Sequence, residues 1–101
     1  METIRTPKRA PTHPGAILRE DVLPALEMTQ TEFAKRLGVS RLTVSEVLHE
    51  KRGVSPDMAL RLGKLLGNGA GVWLRMQQAL NLWQLEHSKA RDYARIERLA
   101  A

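Results

Sequence analysis

The sequence is divided by helix-capping signals that follow one another at short intervals. Thr29 and Glu32 fit a capping box, in which the Thr29 hydroxyl accepts from the Glu32 amide and the Glu32 carboxylate accepts from the Thr29 amide. The helix that begins there is predicted to end at Gly38, because glycine readily takes the left-handed conformation of a helix stop. Ser40 then caps another helix. A chain divided in this way is predicted to build its core from several short helices.

The capping signals continue toward the C-terminus. Gly53 is predicted to close the helix that Ser40 opens. Ser55 caps the following helix, which has Pro56 in its first turn and is predicted to end at Gly67. These signals predict three consecutive helices in the middle of the chain.

Helical spacing extends the pattern in both directions. Pro14 suits a first helical turn, and apolar residues then recur at helical spacing until Pro24, which is expected to interrupt the helix. A fifth helix is predicted from Val72 to Leu85. Its apolar stripe consists of Trp73, Met76, Leu80 and Trp83. Because no alternation typical of strands occurs, the predicted fold class is all-α.

Composition restricts the class of molecule and of partner. The 101 residues suffice for one core, and the absence of cysteine excludes disulfides and thiolate metal sites. A net charge of +5 favours an anionic partner, either nucleic acid or an anionic membrane surface. No apolar run reaches the ~20 residues of a membrane span, and the N-terminus lacks the apolar core of a signal peptide. We therefore expect a cytoplasmic protein.

The helix that Ser40 opens has two unlike faces. At ~100° per residue, Val44, Val47 and Leu48 share one side and are predicted to face the core. The opposite side carries Arg41, Leu42, Ser45, Glu46 and His49. Arginine suits N7 and O6 of guanine, glutamate can accept from cytosine N4, serine can donate or accept, and leucine can pack on a thymine methyl. Two helices joined by a tight glycine turn, the second with such a face, predict a helix-turn-helix.

Residues around this face are suited to phosphate groups. Thr29 and Gln30 open the preceding helix, whose free amides and positive dipole end form an anion site. Thr43 lies at the edge of the reading face, and Lys51 and Arg52 follow the helix. Contacts to phosphate supply affinity and orientation, whereas contacts to bases supply sequence choice.

Each feature also has a purely structural interpretation. Capped amphipathic helices often expose a charged face to solvent, and the stripe of the fifth helix fits a core as well as a dimer interface. The tail is too short and too mixed in sign for a membrane surface. Enzymatic activity, a metal site and a cofactor are not expected, because His13, His49 and His87 are widely separated and no glycine-rich phosphate loop occurs.

The quoted blocks resemble a known family. "TQTEFAKRLGVSRLTVSEVLHEKRGVSPDMALRLGKLLG", Thr29 to Gly67, resembles the lambda-repressor-like helix-turn-helix of the Xre family. With "HPGAILREDVL" before it and "VWLRMQQALNLWQLE" after it, the chain is similar to the HigA-type antitoxins of toxin–antitoxin pairs. This resemblance implies a five-helix domain over residues 13–86, a flexible basic lead-in over residues 1–12 and a charged helical tail over residues 87–101.

The resemblance also implies a function. HigA-type proteins dimerise through their C-terminal helix, autorepress their operon by binding a palindromic operator, and neutralise a HigB/RelE-like ribonuclease toxin. Carried over by position, the base contacts would come from Ser40, Arg41, Leu42, Ser45 and Glu46. The phosphate contacts would come from Thr29, Gln30, Thr43, Lys51 and Arg52. The dimer interface would be formed by Trp73, Met76, Leu80 and Trp83.

Two departures from the family pattern affect these expectations. Ala16 stands where the family usually has glutamate, and Gly69-Ala70-Gly71 replaces a Ser-Pro-Glu start of the fifth helix. We therefore expect the start of that helix to be frayed or bent. Two other functions remain open: a stand-alone Xre-family repressor without a toxin partner, and an interaction module that no longer binds DNA.

Overall fold

The computed structural model describes residues 9–100, and all regular structure in that range is helical. Helix α1 has three segments, Pro14–Ile17, a π-helical turn Leu18–Val22, and Leu23–Leu26. The remaining helices are α2, Gln30–Leu37; α3, Arg41–Leu48; α4, Pro56–Leu66; α5, Ala70–Ser88; and α6, Ala90–Ala94. The predicted all-α fold with a helix-turn-helix is confirmed. Most of the predicted lead-in, residues 1–8, lies outside the described residues.

Pro24 does not interrupt α1, and that prediction is wrong. The helix widens into the π turn just before Pro24, where the Leu23 amide donates to the Leu18 carbonyl oxygen. A wider turn is one of the local adjustments that let a helix continue past a residue that lacks an amide hydrogen. The helix ends instead at Glu27, which adopts a left-handed conformation with φ of 52°.

Helices α2 and α3, and the turn between them, have the predicted capping groups. The Glu32 amide donates to Thr29 Oγ1 and the Thr43 amide donates to Ser40 Oγ, both over 3.1 Å. Gly38 is left-handed, with φ of 74°. One part of the capping box is wrong: the Glu32 carboxylate accepts from Arg36 Nε over 3.1 Å rather than from the Thr29 amide. An ion pair one turn along the same helix competes successfully for the carboxylate.

The prediction that Gly53 closes α3 is wrong. The helix ends in a left-handed Glu50, with φ of 62°. The Lys51 amide donates to the Glu46 carbonyl oxygen over 2.8 Å, and the Glu50 amide to the Val47 carbonyl oxygen over 3.0 Å, which is the Schellman pattern. Gly53 instead leaves room for the Gln77 side chain, because a Cβ atom at residue 53 would lie only 2.9 Å from Cδ of Gln77.

The residues predicted to be helical, Val72 to Leu85, all lie in α5, which begins two residues earlier, at Ala70. It has no side-chain cap, and residues 70 and 71 are already helical. The main chain of Gly69 and Ala70 lies directly against Gly63 of α4, leaving no room for a Cβ atom on Gly63. Close packing of two main chains therefore holds the helix start that a cap would otherwise stabilise.

The core lies between α1, α2, α3 and α4 and is closed by Trp73 of α5. Val44, Val47 and Leu48 are buried, as predicted for the inner face of α3. The other large members are Leu18, Leu23, Phe33, Leu37, Val54, Met58 and Leu62. Every buried side-chain nitrogen and oxygen among the described residues has a hydrogen-bond partner. Helix α3 is thus fixed from behind, and its outer face is presented to solvent.

Candidate nucleic-acid interface

The outer face of α3 presents polar and apolar side chains together at the start of the helix. Arg41 is exposed, and Leu42 is 65% exposed. Ser45 and Glu46, one turn later, are half-buried and still reach the surface. The structure therefore brings the predicted base-contacting residues onto one continuous surface, with Ser40 capping its front end.

Arg41 occupies a position that is unfavourable for a free helix. It is the first residue of α3, no acidic residue lies in the first turn, and none of the ion pairs among the described residues includes Arg41. A cation at a helix N-terminus opposes the helix dipole, typically by about 0.3–1 kcal/mol. An anion bound at this end of α3 would remove the conflict.

Side-chain hydrogen bonds within α3 order the polar face at two places. Ser40 Oγ and Thr43 Oγ1 share a hydrogen bond of 2.8 Å. His49 Nδ1 lies 2.7 Å from the Ser45 carbonyl oxygen and 3.4 Å from Ser45 Oγ. These internal contacts hold the side chains in defined rotamers, and defined rotamers favour readout of a base edge.

The predicted phosphate-contacting residues border the face on two sides. Thr29 and Gln30 lie at the N-terminus of α2, where Thr29 caps the helix. Thr43 and Arg52 line a groove of about 400 Å³ between α3 and the start of α4. Lys51 is exposed in the loop after α3. Arg52 is paired with Glu46 over 2.7 Å, so one predicted phosphate ligand contacts one predicted base reader.

Arg61 links α4 to the helix-turn-helix and was not identified from the sequence. Its Nη1 donates to the Leu37 carbonyl oxygen over 2.8 Å and to that of Gly38 over 3.3 Å. Asp57 holds the Nε atom of the same guanidinium over 2.8 Å. Arg61 thus satisfies the free carbonyl groups at the end of α2 and fixes the turn that precedes α3.

Arg19 makes the corresponding contact at the other end of α3. Its Nη1 donates to the Leu48 carbonyl oxygen over 2.6 Å and to Glu50 Oε2 over 3.2 Å. The hydrogen bond that Arg19 donates to the Glu50 carboxylate raises the pKa of Arg19 above its ordinary value. Two arginines from outside the helix-turn-helix therefore hold the turn before α3 and the C-terminal end of α3. Neither could be found from sequence, because their partners are more than 20 residues away.

His13 caps the first helix and lies under the loop that follows α3. The Gly15 amide donates to His13 Nδ1 over 2.8 Å, which requires that nitrogen to be unprotonated. Burial lowers the pKa of His13 below its ordinary value, and the Glu50 carboxylate only partly opposes this effect. The predicted pattern gave no role to His13.

The predicted dimer stripe of α5 divides into an inner and an outer part. Trp73 is only 2% exposed and donates to Asn68 Oδ1 over 3.1 Å, and Leu80 is also buried within the chain. Met76 and Trp83 are half-buried. Trp83 stacks on His87 with ring centroids 3.9 Å apart. The large apolar side chains that α5 exposes are Leu82 and Leu85, which the predicted stripe omitted.

Two other kinds of feature are absent from the described part of the chain. Within residues 9–100, no group of three or more His, Asp or Glu side chains is arranged to hold a metal ion. No helix in that range has the length and apolar character needed to cross a membrane. The outer face of α3 is therefore the candidate functional surface.

Known proteins resemble this chain over most of its length. Residues 18–73 match the helix-turn-helix family HTH_3. Virulence-associated protein I of Dichelobacter nodosus is 42% identical over 77 residues, which cover 76% of this chain and 71% of that protein. The uncharacterized HTH-type transcriptional regulator YbaQ of Escherichia coli K12 is 35% identical over 94 residues, covering 91% of this chain and 83% of that protein.

Two solved structures of similar proteins contain DNA. Antitoxin GraA in complex with its operator has a TM-score of 0.87 and 36% identity, covering 98% of this chain and 100% of that one. Antitoxin HigA of Pseudomonas aeruginosa with the higBA promoter has a TM-score of 0.83 and 34% identity, covering 89% of this chain and 99% of that one. Both were solved with regulatory DNA.

Proposed function

The chain belongs to the Xre-like helix-turn-helix family, in its HigA-type group, and from this membership we propose that it is a DNA-binding antitoxin that autorepresses its own operon. The observation that carries the proposal is the outer face of α3. Arg41 stands at its start beside exposed Leu42 and has no ion-pair partner within residues 9–100. The complexes of GraA with its operator and of HigA with the higBA promoter support DNA binding by this chain.

In the proposed complex, α3 enters the major groove. The base contacts come from Ser40, Arg41, Leu42, Ser45 and Glu46. Leu42 and Glu46 are the residues expected to set the operator sequence, because a thymine methyl and a cytosine amino group are distinct features of the groove. The phosphate contacts come from Thr29, Gln30, Thr43, Lys51 and Arg52. These cations and helix-start groups supply most of the salt-dependent affinity.

The proposed DNA-binding unit is a symmetric dimer. Two copies of α3 would enter successive major grooves about 34 Å apart on an inverted repeat. The dimer would form along α5, through Met76 and Trp83 together with Leu82 and Leu85, which the chain leaves exposed. Trp73 and Leu80 would support this surface from inside.

The proposed second partner is a HigB/RelE-like ribonuclease toxin, which this chain would neutralise in the cytoplasm. The chain itself would contribute neither a catalytic residue nor a cofactor. Residues 13–86 would be the DNA-binding and dimerising domain, although α5 continues through residue 86 to Ser88, so the tail of residues 87–101 would begin inside this helix.

A co-expression experiment tests the antitoxin role. The small reading frame adjacent to this gene is expressed with and without this chain, growth is scored, and a tag is used for pull-down. We expect the neighbour alone to arrest growth, and we expect this chain to rescue growth and to co-purify with the neighbour. A harmless neighbour that does not co-purify would remove the antitoxin role.

A stand-alone repressor is the second candidate function. It is favoured by the relative YbaQ, whose name describes a transcriptional regulator only. The two candidates share the same DNA contacts and differ in the toxin partner. If operator binding is measured but no adjacent product binds the chain, the stand-alone repressor is the better description.

A further inference from the structure

An ion pair joins a residue proposed to read a base to a residue proposed to hold a phosphate. Arg52 Nη2 donates to Glu46 Oε1 over 2.7 Å. The main chain ties the same two residues together, because the Arg52 amide donates to the Glu46 carbonyl oxygen over 3.2 Å. The Glu46 side chain is 32% exposed and that of Arg52 is 51% exposed, so a duplex can reach both while they are paired.

A carboxylate on a DNA-facing helix meets repulsion from the phosphates. Duplex DNA carries one negative charge per ~1.7 Å of its axis, and a like charge placed against it weakens binding. The guanidinium of Arg52 offsets the charge of Glu46 at hydrogen-bond distance. It also restricts the carboxylate to one geometry, and acceptance from a base amino group depends on such geometry.

On the premise that the chain reads an operator through α3, we infer that Arg52 is a positioning residue for base readout. It holds the Glu46 carboxylate in place and neutralises it, so Arg52 contributes to sequence choice through Glu46. The remaining N–H groups of the guanidinium stay available for a phosphate. Arg52 therefore acts both on affinity and on the choice of one base pair in each half-site.

Lys51 provides a matched comparison in the same loop. It is also a cation, it is exposed, and its amide also donates to the Glu46 carbonyl oxygen. No ion pair between Lys51 and an acidic side chain occurs among the described residues. Lys51 is expected to contribute affinity without sequence choice.

The test uses an operator that the full chain selects from a random duplex library. Binding to this operator and to its single-base variants is then measured for the wild type and for Lys51→Ala, Arg52→Ala, Glu46→Gln and the double variant Glu46→Gln/Arg52→Ala. We expect Arg52→Ala and Glu46→Gln to change the preference at the same base pair, and Lys51→Ala to weaken all duplexes alike. Arg52→Ala should weaken binding about tenfold in the wild type but only about twofold beside Glu46→Gln.

Two results overturn the inference in different ways. Equal losses from Arg52→Ala in both backgrounds, with a base preference like that of Lys51→Ala, would show an independent phosphate contact and leave the proposed function intact. If no sequence is enriched, the proposed operator binding itself fails. Arg52→Lys is the control for misfolding, because it keeps the positive charge and loses only the planar guanidinium. It should retain operator affinity better than it retains the base preference.

Discussion

Arg41 and His13 differ in how their side chains relate to the stability of the fold. Arg41 opposes the dipole of α3 and has no ion-pair partner among the described residues, so its charge adds no ion pair to this part of the fold. His13 is buried and accepts a hydrogen bond from the Gly15 amide, so the fold depends on its neutral form. The first residue belongs to the proposed interface, and the second to the support beneath it.

Arg41→Ala should cost about 1–3 kcal/mol of operator binding and relax the preference at one base pair per half-site. Lys51→Ala should weaken all sequences alike and lower the salt slope by about one ion. Both are measured by fluorescence anisotropy on operator variants over a range of salt concentrations. Identical behaviour of the two variants would refute the assignment of reading and anchoring roles.

The stability of the protein should fall as the pH drops below the ordinary His pKa of 6.5. The pKa of folded His13 is lowered, so the unfolded chain binds the proton first and the free energy of unfolding decreases until the folded pKa is passed. His13→Asn keeps a capping oxygen but cannot titrate. Urea unfolding between pH 5 and pH 7.5, at about half-unit steps, should give a shallower slope for this variant than for the wild type. Equal slopes would assign the effect to other groups.

Between elements, α3 contacts its neighbours through its main chain as well as through side chains. Gly15 brings α1 against the Val47 carbonyl group, so close that an added Cβ would overlap it. Arg19 donates to the last carbonyl oxygen of α3, and Arg61 donates to the last carbonyl oxygen of α2, just before the turn into α3. The orientation of α3 is therefore set by several elements, each of which approaches it closely.

Gly15→Ala should destabilise the protein by about 1–3 kcal/mol, because the methyl group forces α1 away from α3. Gly71→Ala is the matched control near the start of α5. There the new Cβ would meet only the flexible end of Arg75, and the helical position favours alanine by up to ~1 kcal/mol. Urea unfolding of both variants should therefore give shifts of opposite sign. A neutral Gly15→Ala would show that α1 can move without cost.

At the scale of the molecule, the described part of the chain is elongated, with extents of 53 × 26 × 23 Å. The C-terminal part of α5 and the short α6 extend beyond the core formed by the other helices. Exposed apolar side chains continue along this end, at Leu82, Leu85, Tyr93, Ile96 and Leu99. An exposed apolar surface of this kind is where a second copy would add most to stability.

Leu82→Glu should prevent dimerisation, because two-fold symmetry places both new carboxylates in one apolar interface. Operator affinity should fall with it, since a single half-site offers only half of the contacts. Leu60→Glu is the control, since Leu60 is similarly exposed, 65% against 59%, but lies on α4. Analytical ultracentrifugation decides between them, and a dimer that survives Leu82→Glu would exclude this part of α5 from the interface.

The sequence by itself determined where α2, α3 and α4 begin and where α2 and α4 end. Thr29, Ser40 and Ser55 bond to amides three residues later, and Gly38 and Gly67 are left-handed stops, so these features depend only on near neighbours. The outer face of α3 followed from the same local periodicity. The residues proposed for DNA contact could therefore be named before the fold was known.

Only the tertiary structure decided how α3 is held and which apolar residues remain outside. The hydrogen bonds of Arg19 and Arg61 reach main-chain carbonyl groups more than 20 residues away in sequence. Burial of Trp73 also depends on α4 and the core that it covers. Local rules cannot predict such features, because the free energy of each contact is set by residues that only folding brings together.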